Sequence, residues 1–284
     1  MPNLDLVPKR DLSSFRRIAL GTWRTAYDPS VYGSIRLEAG PLLDYLDQFR
    51  ARTGRRLTLT HLLVKAVSLV LADMPDANAI LRWNRIYLRR DVGVFFQVAM
   101  EDPKTGEMDL SGVTIHGAHQ KPLLDILDET EARVAKVRAG KDKELEQTRS
   151  SFKRIPYFLL GPALSMIGLL AYTFNLDLRR FGVPKDPFGS VMMTNVGSLG
   201  LEEAYVPLVP YSRVPLLLAV GKVGEEAVVR DGVVVPARML RLFATFDHRI
   251  LDGSHAAHMS KTLKRIFADP TAAFGPLPDG PAAT

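Results

Sequence analysis

The stretch Phe246-Asp247-His248-Arg249-Ile250-Leu251-Asp252-Gly253 decides how the chain is read. Before it, the apolar run from Met239 to Phe246 predicts a buried strand, and after it the segment from about Ser254 to Phe267 predicts a helix. A histidine therefore stands at a strand's end, where an imidazole can act as a general base near neutral pH. Asp252, four residues on, is spaced to orient local backbone or to pair with an arginine. Gly253 permits a tight turn with positive φ. The plainer reading of the same residues is a strand-loop-helix corner whose histidine only caps something.

Composition limits the chemistry. At 284 residues there is material for one large domain or two small ones with an ample core. The apolar share of 46% and charged share of 24% are those of a globular protein. With no cysteine, disulfides, a thiol nucleophile and a thiolate metal site are all excluded. The net charge of +6 suits an anionic ligand such as a nucleotide-bearing thioester, or anionic lipid. No aromatic-interleaved basic motif is present, so no nucleic acid partner is expected. Met1 to Asp11 is polar and lacks the apolar core of a secretory signal, which predicts a cytoplasmic protein.

Residues 1–12 read as an arm. Ser13 or Ser14 caps a short expected helix through Phe15, Ile18 and Ala19, whose Arg16 or Arg17 could reach Asp252. Val31 to Leu37 alternates as a strand, Pro41 to Gly54 reads as a helix, and Thr58 or Thr60 caps another that stops at Pro75. His61, beside that helix start, reads as a capping or surface residue. Arg85–Leu88 and Val92–Met100 read as a hairpin about Arg89-Arg90-Asp91, its apolar second strand central in a sheet. Residues 101–112 read as a polar turn, and Leu123 to Lys143 has helical period. His116 and His119 lack a third nearby ligand; His255 and His258 could approach His248 as a three-histidine site but read as core or surface positions of their helix, so no metal is expected.

From Ile155 to Leu176 the chain carries no charge over 22 residues, the length of a membrane-crossing helix. Pro156, Gly161, Pro162 and Gly168 interrupt it. Three readings stand: an apolar helix pair at a subunit interface, an anchor lying in a membrane surface, or a span. Beyond it, Val214 to Gly221 reads as a buried strand, and Val228 to Val235 as a hairpin about Asp231-Gly232.

Asp247-His248-Arg249-Ile250-Leu251-Asp252-Gly253 closely resembles the DHRxxDG signature of the dihydrolipoamide acyltransferase component of 2-oxo-acid dehydrogenase complexes. Its looser HxxxD form is shared with chloramphenicol acetyltransferase and with peptide-synthetase condensation domains. Phe188 to Gly200 resembles the same family's GTFTISNLG strand and turn, with Thr194 where the family has serine. Val214 to Gly221 resembles its PQACILAVG strand. The resemblance covers about residues 13–270 as one catalytic domain, with the apolar insertion at about 151–182 excluded and 271–284 left as a flexible tail. Residues 101–112 depart from the family's GLVVPVI-like strand.

The resemblance implies a chloramphenicol-acetyltransferase-like α/β fold, a two-layer arrangement of a mixed sheet with helices packed on one side. It also implies a homotrimer or larger cage with sites between subunits. The implied reaction moves an acyl group between coenzyme A, a substrate rather than a resident cofactor, and a second thiol. His248 is the implied base, Thr194 the implied oxyanion donor from a neighbouring subunit, and Asp252 the residue that holds the loop. Asn195, Gly197 and Gly253 shape the substrate-binding turns. This chain shows no lipoyl-attachment lysine motif, so a lipoyl domain or carrier protein supplied in trans, or another small acceptor, is expected. The alternative is a non-catalytic protein of the same fold, a structural trimer or cage attached to a membrane surface through residues 155–176.

Overall fold

β10 (Val233–Asp247) is the longest strand and the one on which the main sheet is assembled. The computed structural model describes residues 2–10, 28–101, 108–138 and 156–278. The expected helix at Ser13–Ala19 with Arg16 and Arg17, the turn at 102–107, and the start of the insertion lie outside the described residues. Along β10, Leu240, Leu242 and Phe246 enter the large core, while Phe243 belongs to a smaller cluster with Ala219 and Val196. Towards its end, from Leu242 to Phe246, both faces of the strand are covered, which is why that part runs apolar instead of alternating.

β10 pairs antiparallel with β2 (Ser30–Glu38), with β8 (Leu216–Val220) and, over its first half, with β9 (Gly224–Arg230). The sheet continues from β8 to β7 (Val191–Asn195) and β5 (Gly93–Glu101) by parallel pairing, and ends on β6 (Met108–His116), antiparallel to β5. It is therefore a mixed sheet of seven strands among the described residues, in the order β2-β10-β8-β7-β5-β6 with β9 on β10. As expected, β5 is interior. The β9–β10 hairpin turns at Asp231 and Gly232, with φ of 51° and 79°.

Four helices cover one face: α1 (Gly40–Thr53), α2 (Leu59–Asp73), α3 (Leu123–Arg138) and α5 (Gly253–Ala268). Residues 204–209 cover part of the other, where Val206, Leu208 and Val209 pack on Met192 and Leu217. α1 starts on Pro41 and stops at Gly54, whose φ of 66° few residues but glycine adopt. Residues 271–274, read from sequence as the start of a flexible tail, lie in helix α6 (Pro270–Phe274), and Phe274 packs edge-on to Tyr45 at 5.8 Å.

Three expectations are corrected. Arg85–Leu88 and Val92–Met100 do not form a hairpin. β4 (Arg85–Arg89) pairs instead with β3 (Ala79–Arg82) and β1 (Leu6–Pro8) in a separate three-stranded sheet. The turn is at Trp83 and Asn84, both at positive φ, and the Asn78 amide ties Arg89 O and Asp91 O, each at 3.1 Å, as the chain passes between sheets. The polar stretch 101–112 is not all turn, because its second half pairs with β5 as β6.

The apolar insertion is not a helix pair. It forms one helix, α4 (Tyr157–Gly168), and a π-helical turn at Leu169–Thr173. Twelve residues of helix rise about 18 Å. A bilayer core needs about 30 Å, and among the described residues no helix is long and apolar enough to cross a membrane.

Two buried polar groups anchor α2. Lys65 Nζ donates to the carbonyls of Ala118, His119 and Lys121 at 3.0, 2.8 and 2.7 Å, and burial pulls its pKa down. His61 Nδ1 accepts from the Thr58 backbone N–H at 3.0 Å, closing a reciprocal cap. It is a cap, as one expectation had it, but a buried one. Burial holds its pKa down at about 4, against a small upward pull from Glu131.

Replacing Lys65 with methionine leaves three buried carbonyls unmet, and urea denaturation should show a loss of about 2–4 kcal/mol. For His61 the folded value lies below the unfolded one near 6.5, so protonation favours the unfolded chain. Its contribution is complete above pH 6.5 and is lost as pH falls towards 4, by roughly 3 kcal/mol. His61→Gln should remove most of the stability change over that pH window in denaturation curves.

Candidate functional site

The loop after β10 is held at every residue. Asp247 N–H donates to Pro215 O and His248 N–H to Pro29 O, both at 2.9 Å. The Asp247 carbonyl accepts from Ile250 and Leu251 N–H, both at 2.9 Å, closing a single turn. The Asp247 carboxylate, buried at the strand's end, takes the Arg249 guanidinium through Nε at 2.9 Å and Nη2 at 2.6 Å. A forked pair of this kind fixes direction as well as distance.

Within that loop His248 is half-buried, and its Nδ1 lies 2.8 Å from the Leu251 carbonyl oxygen. A carbonyl can only accept, so Nδ1 carries the proton, and in the neutral ring the lone pair sits on Nε2. The arrangement fixes the tautomer that a base needs.

Asp252 caps α5. Its Oδ1 accepts from Ser254 N at 2.9 Å, Ser254 Oγ at 2.6 Å and His255 N at 3.3 Å, and lies 2.7 Å from His255 Nδ1. Burial alone would raise the Asp252 pKa. The bonds from Ser254 and His255 outweigh it and hold the carboxylate well below its usual range. Asp252 thus orients backbone, one of the two roles its spacing offers. The positive φ that Gly253 permits is not used: Gly253 is the first residue of α5, and the extended Asp252 (φ −134°) makes the turn as its cap.

Thr194 and its turn stand elsewhere. Thr194 pairs with Ala219 across β7–β8, and Ala219 pairs with Phe243 across β8–β10, so Thr194 is level with Phe243. His248 is five residues further along, about 17 Å at strand rise and about 10 Å across two strands. Within one chain the two side chains lie at opposite ends of the sheet. Asn195 Oδ1 accepts from Ser198 N at 3.1 Å, shaping the turn. At Gly197 a Cβ would stand 2.4 Å from Gly221 O, so only glycine allows β7 and β8 to end this close.

Two of the remaining histidines have local carboxylate partners. His116 Nδ1 lies 2.6 Å from Asp91 and His258 Nε2 2.9 Å from Asp73, while His119 is partly buried. Among the described residues no three metal-ligating side chains come together. Sequence reasoning missed Pro29 and Pro215 as acceptors, and the Asp252–His255 pair, whose i, i+3 spacing is a capping-box signal. It also missed a pocket of about 240 Å³ beside the loop, lined by Ser30, Leu81, Pro210, Arg213, Arg249 and Ile250 among others.

A family model, 2-oxoacid dehydrogenases acyltransferase (catalytic domain), matches residues 13–153 and 188–275. The chain belongs to this family. The interval it skips contains the described part of the apolar insertion. A curated relative, the dihydrolipoyllysine-residue acetyltransferase component of the pyruvate dehydrogenase complex of Bacillus subtilis, is 38% identical over 81 residues, 28% of this chain and 18% of that protein. The chain thus matches under a fifth of that relative's length.

Among solved structures, a probable dihydrolipoamide acetyltransferase from Listeria monocytogenes aligns with TM-score 0.65 at 18% identity, over 96% of this chain and 99% of that one. The cubic core of a pyruvate dehydrogenase multienzyme complex aligns with TM-score 0.63 at 21% identity, over 94% and 99%. A chloramphenicol acetyltransferase aligns with TM-score 0.51 at 12% identity, over 93% and 100%. At these identities the likeness shows the fold, which is the chloramphenicol-acetyltransferase-like one.

Asp252→Ala removes the cap and should cost about 1–2 kcal/mol in chemical denaturation, with Asp252→Asn recovering most of it. The contribution of the ionised carboxylate is present above the unfolded pKa near 4 and is lost as pH falls through its lowered folded value.

Proposed function

We propose that this chain transfers an acyl group between coenzyme A and a second thiol, with His248 as the general base. The observation that carries the reading is the hydrogen bond from His248 Nδ1 to Leu251 O, which leaves the lone pair on Nε2. A free thiol has too high a pKa to be much ionised at pH 7. His248 Nε2 takes the thiol's proton, and the sulfur attacks the thioester carbonyl carbon. A new C–S bond forms and the carbonyl oxygen becomes an oxyanion. The intermediate collapses by breaking the original C–S bond, and the departing sulfur recovers the proton from Nε2. Atoms and charge balance without any further reactant.

The oxyanion needs a donor, and Thr194 supplies it from another copy of the chain. The separation of Thr194 and His248 within one sheet supports this division, since a single chain cannot bring them together. A hydroxyl donor of this kind is worth about 3 kcal/mol in the transition state. Threonine in place of serine restricts the rotamer but keeps the hydroxyl. Asp252 positions the loop, and Asn195, Gly197 and Gly253 shape the approach rather than react. The assembly is a homotrimer or a larger cage, and the acceptor is a lipoyl group or carrier thiol presented in trans.

The test is thiol release from an acyl-coenzyme A in the presence of a dihydrolipoyl domain. His248→Ala should lose about 10²–10⁴-fold in rate and Thr194→Ala about 10²-fold, with assembly size unchanged by light scattering. Co-expressing the two inactive variants at equal dose should restore about a quarter of the sites, because each shared site draws one residue from each copy. Full activity in His248→Ala would sink the base assignment, and no recovery on co-expression would sink the shared site.

A further inference from the structure

The proposed chemistry leaves unused the stretch without charge from Ile155 to Leu176. Its inner side packs Ala171 and Tyr172, with Leu178 just beyond, against Leu4 and Ile80 of the small-sheet layer. Its outer side is bare. Phe158, Pro162, Met166 and Leu169 follow one another at helical spacing along one stripe of α4 and beyond its end. Phe158 is 78% exposed and Met166 54%. Past the helix, Phe174 stands edge-on to Trp83 with ring centroids 5.2 Å apart, and Trp83, at the tip of the β3–β4 turn, is 59% exposed. Phe181 adds a further aromatic at 78% exposure.

Basic residues outnumber acids around this surface. Arg85 adjoins the Trp83 turn, Arg179 and Arg180 precede Phe181, and Lys185 follows. From residue 156 to residue 185 the one acid is Asp177, and Arg179 grips it at 2.6 and 3.0 Å. An apolar surface of this extent marks an interaction site. Aromatic residues set among arginines and lysines match the boundary where acyl chains meet anionic headgroups. A two-fold contact with a second copy fits less well, because it would set two basic rims against each other.

We propose that residues 156–181, together with Trp83, seat the protein on an anionic phospholipid bilayer, lying in the headgroup plane. α4, too short to span, inserts its bare stripe, and Arg85, Arg180 and Lys185 meet lipid phosphates. The test uses the full chain and vesicles of phosphatidylglycerol with phosphatidylcholine, against phosphatidylcholine alone, read by cosedimentation. Binding is expected on the anionic vesicles and should weaken with salt. Arg85→Ser with Arg180→Ser should weaken it about 25-fold, roughly fivefold for each charge removed at an anionic surface.

Phe158→Glu with Met166→Glu should abolish binding while leaving the circular dichroism spectrum unchanged. In the unaltered chain, brominated acyl chains should quench tryptophan emission, and Trp83→Phe should remove that quenching. The proposal is overturned if folded protein fails to cosediment with anionic vesicles, or if the double glutamate variant binds as well as the parent. It is equally overturned if those substitutions only disperse a larger oligomer, for the face is then covered by a second copy. None of these readouts depends on acyl transfer.

Discussion

The backbone ladder along β10 is the constraint on which the site depends. From Met239 to Asp247 the strand is paired with β2, and from Leu242 to Phe246 also with β8, so both edges are taken just before the chain leaves the sheet. A slip of one residue would turn Leu240, Leu242 and Phe246 out of the core and bring Phe243 into it. The residue that follows therefore inherits its position from the whole sheet. The turn at 247–252 then spends the remaining backbone groups on itself and on two prolines, Pro29 and Pro215, whose carbonyls accept while their nitrogens have nothing to donate. His248 is placed by the fold's most redundant contacts.

Much of this was legible in the sequence, for physical reasons. A strand covered on both faces has to be apolar, so β8 and β10 stand out. Asp231-Gly232 favours the turn it makes, and the spacing of His248 and Asp252 carries the loop. What was not legible depends on partners far along the chain. Arg85–Leu88 followed by Val92–Met100 has the same local pattern whether the two pair or part. Only Asn78, bonded to both sides of the crossing, decides it. Lys65 sits on the apolar face of α2 with no nearby acid, because its acceptors are backbone carbonyls more than fifty residues away. Gly253 does not need the freedom it has, because Asp252 ends the loop as a helix cap without help from a glycine at positive φ.

The sheet's mixed connectivity separates the two residues to which the proposed mechanism gives chemical roles. β7 and β8 run parallel, so the turn after Thr194 opens at the end of the sheet away from His248. Under that proposal the isolated chain keeps base and hydroxyl donor apart, and only association brings their functions together. Folding and competence would then be separate events, the second governed by concentration.

The absence of cysteine and the enclosure of Lys65 have a consequence for chemical self-protection. Under the proposed function the protein handles activated acyl groups and is exposed to its own reagent, and thiols are the side chains that such groups modify fastest. This chain offers none. The amine that holds α2 in place is sealed behind three carbonyls. Modifying it would require the helix layer to open first, so the residue whose acylation would damage the fold most is among those an acyl donor reaches last.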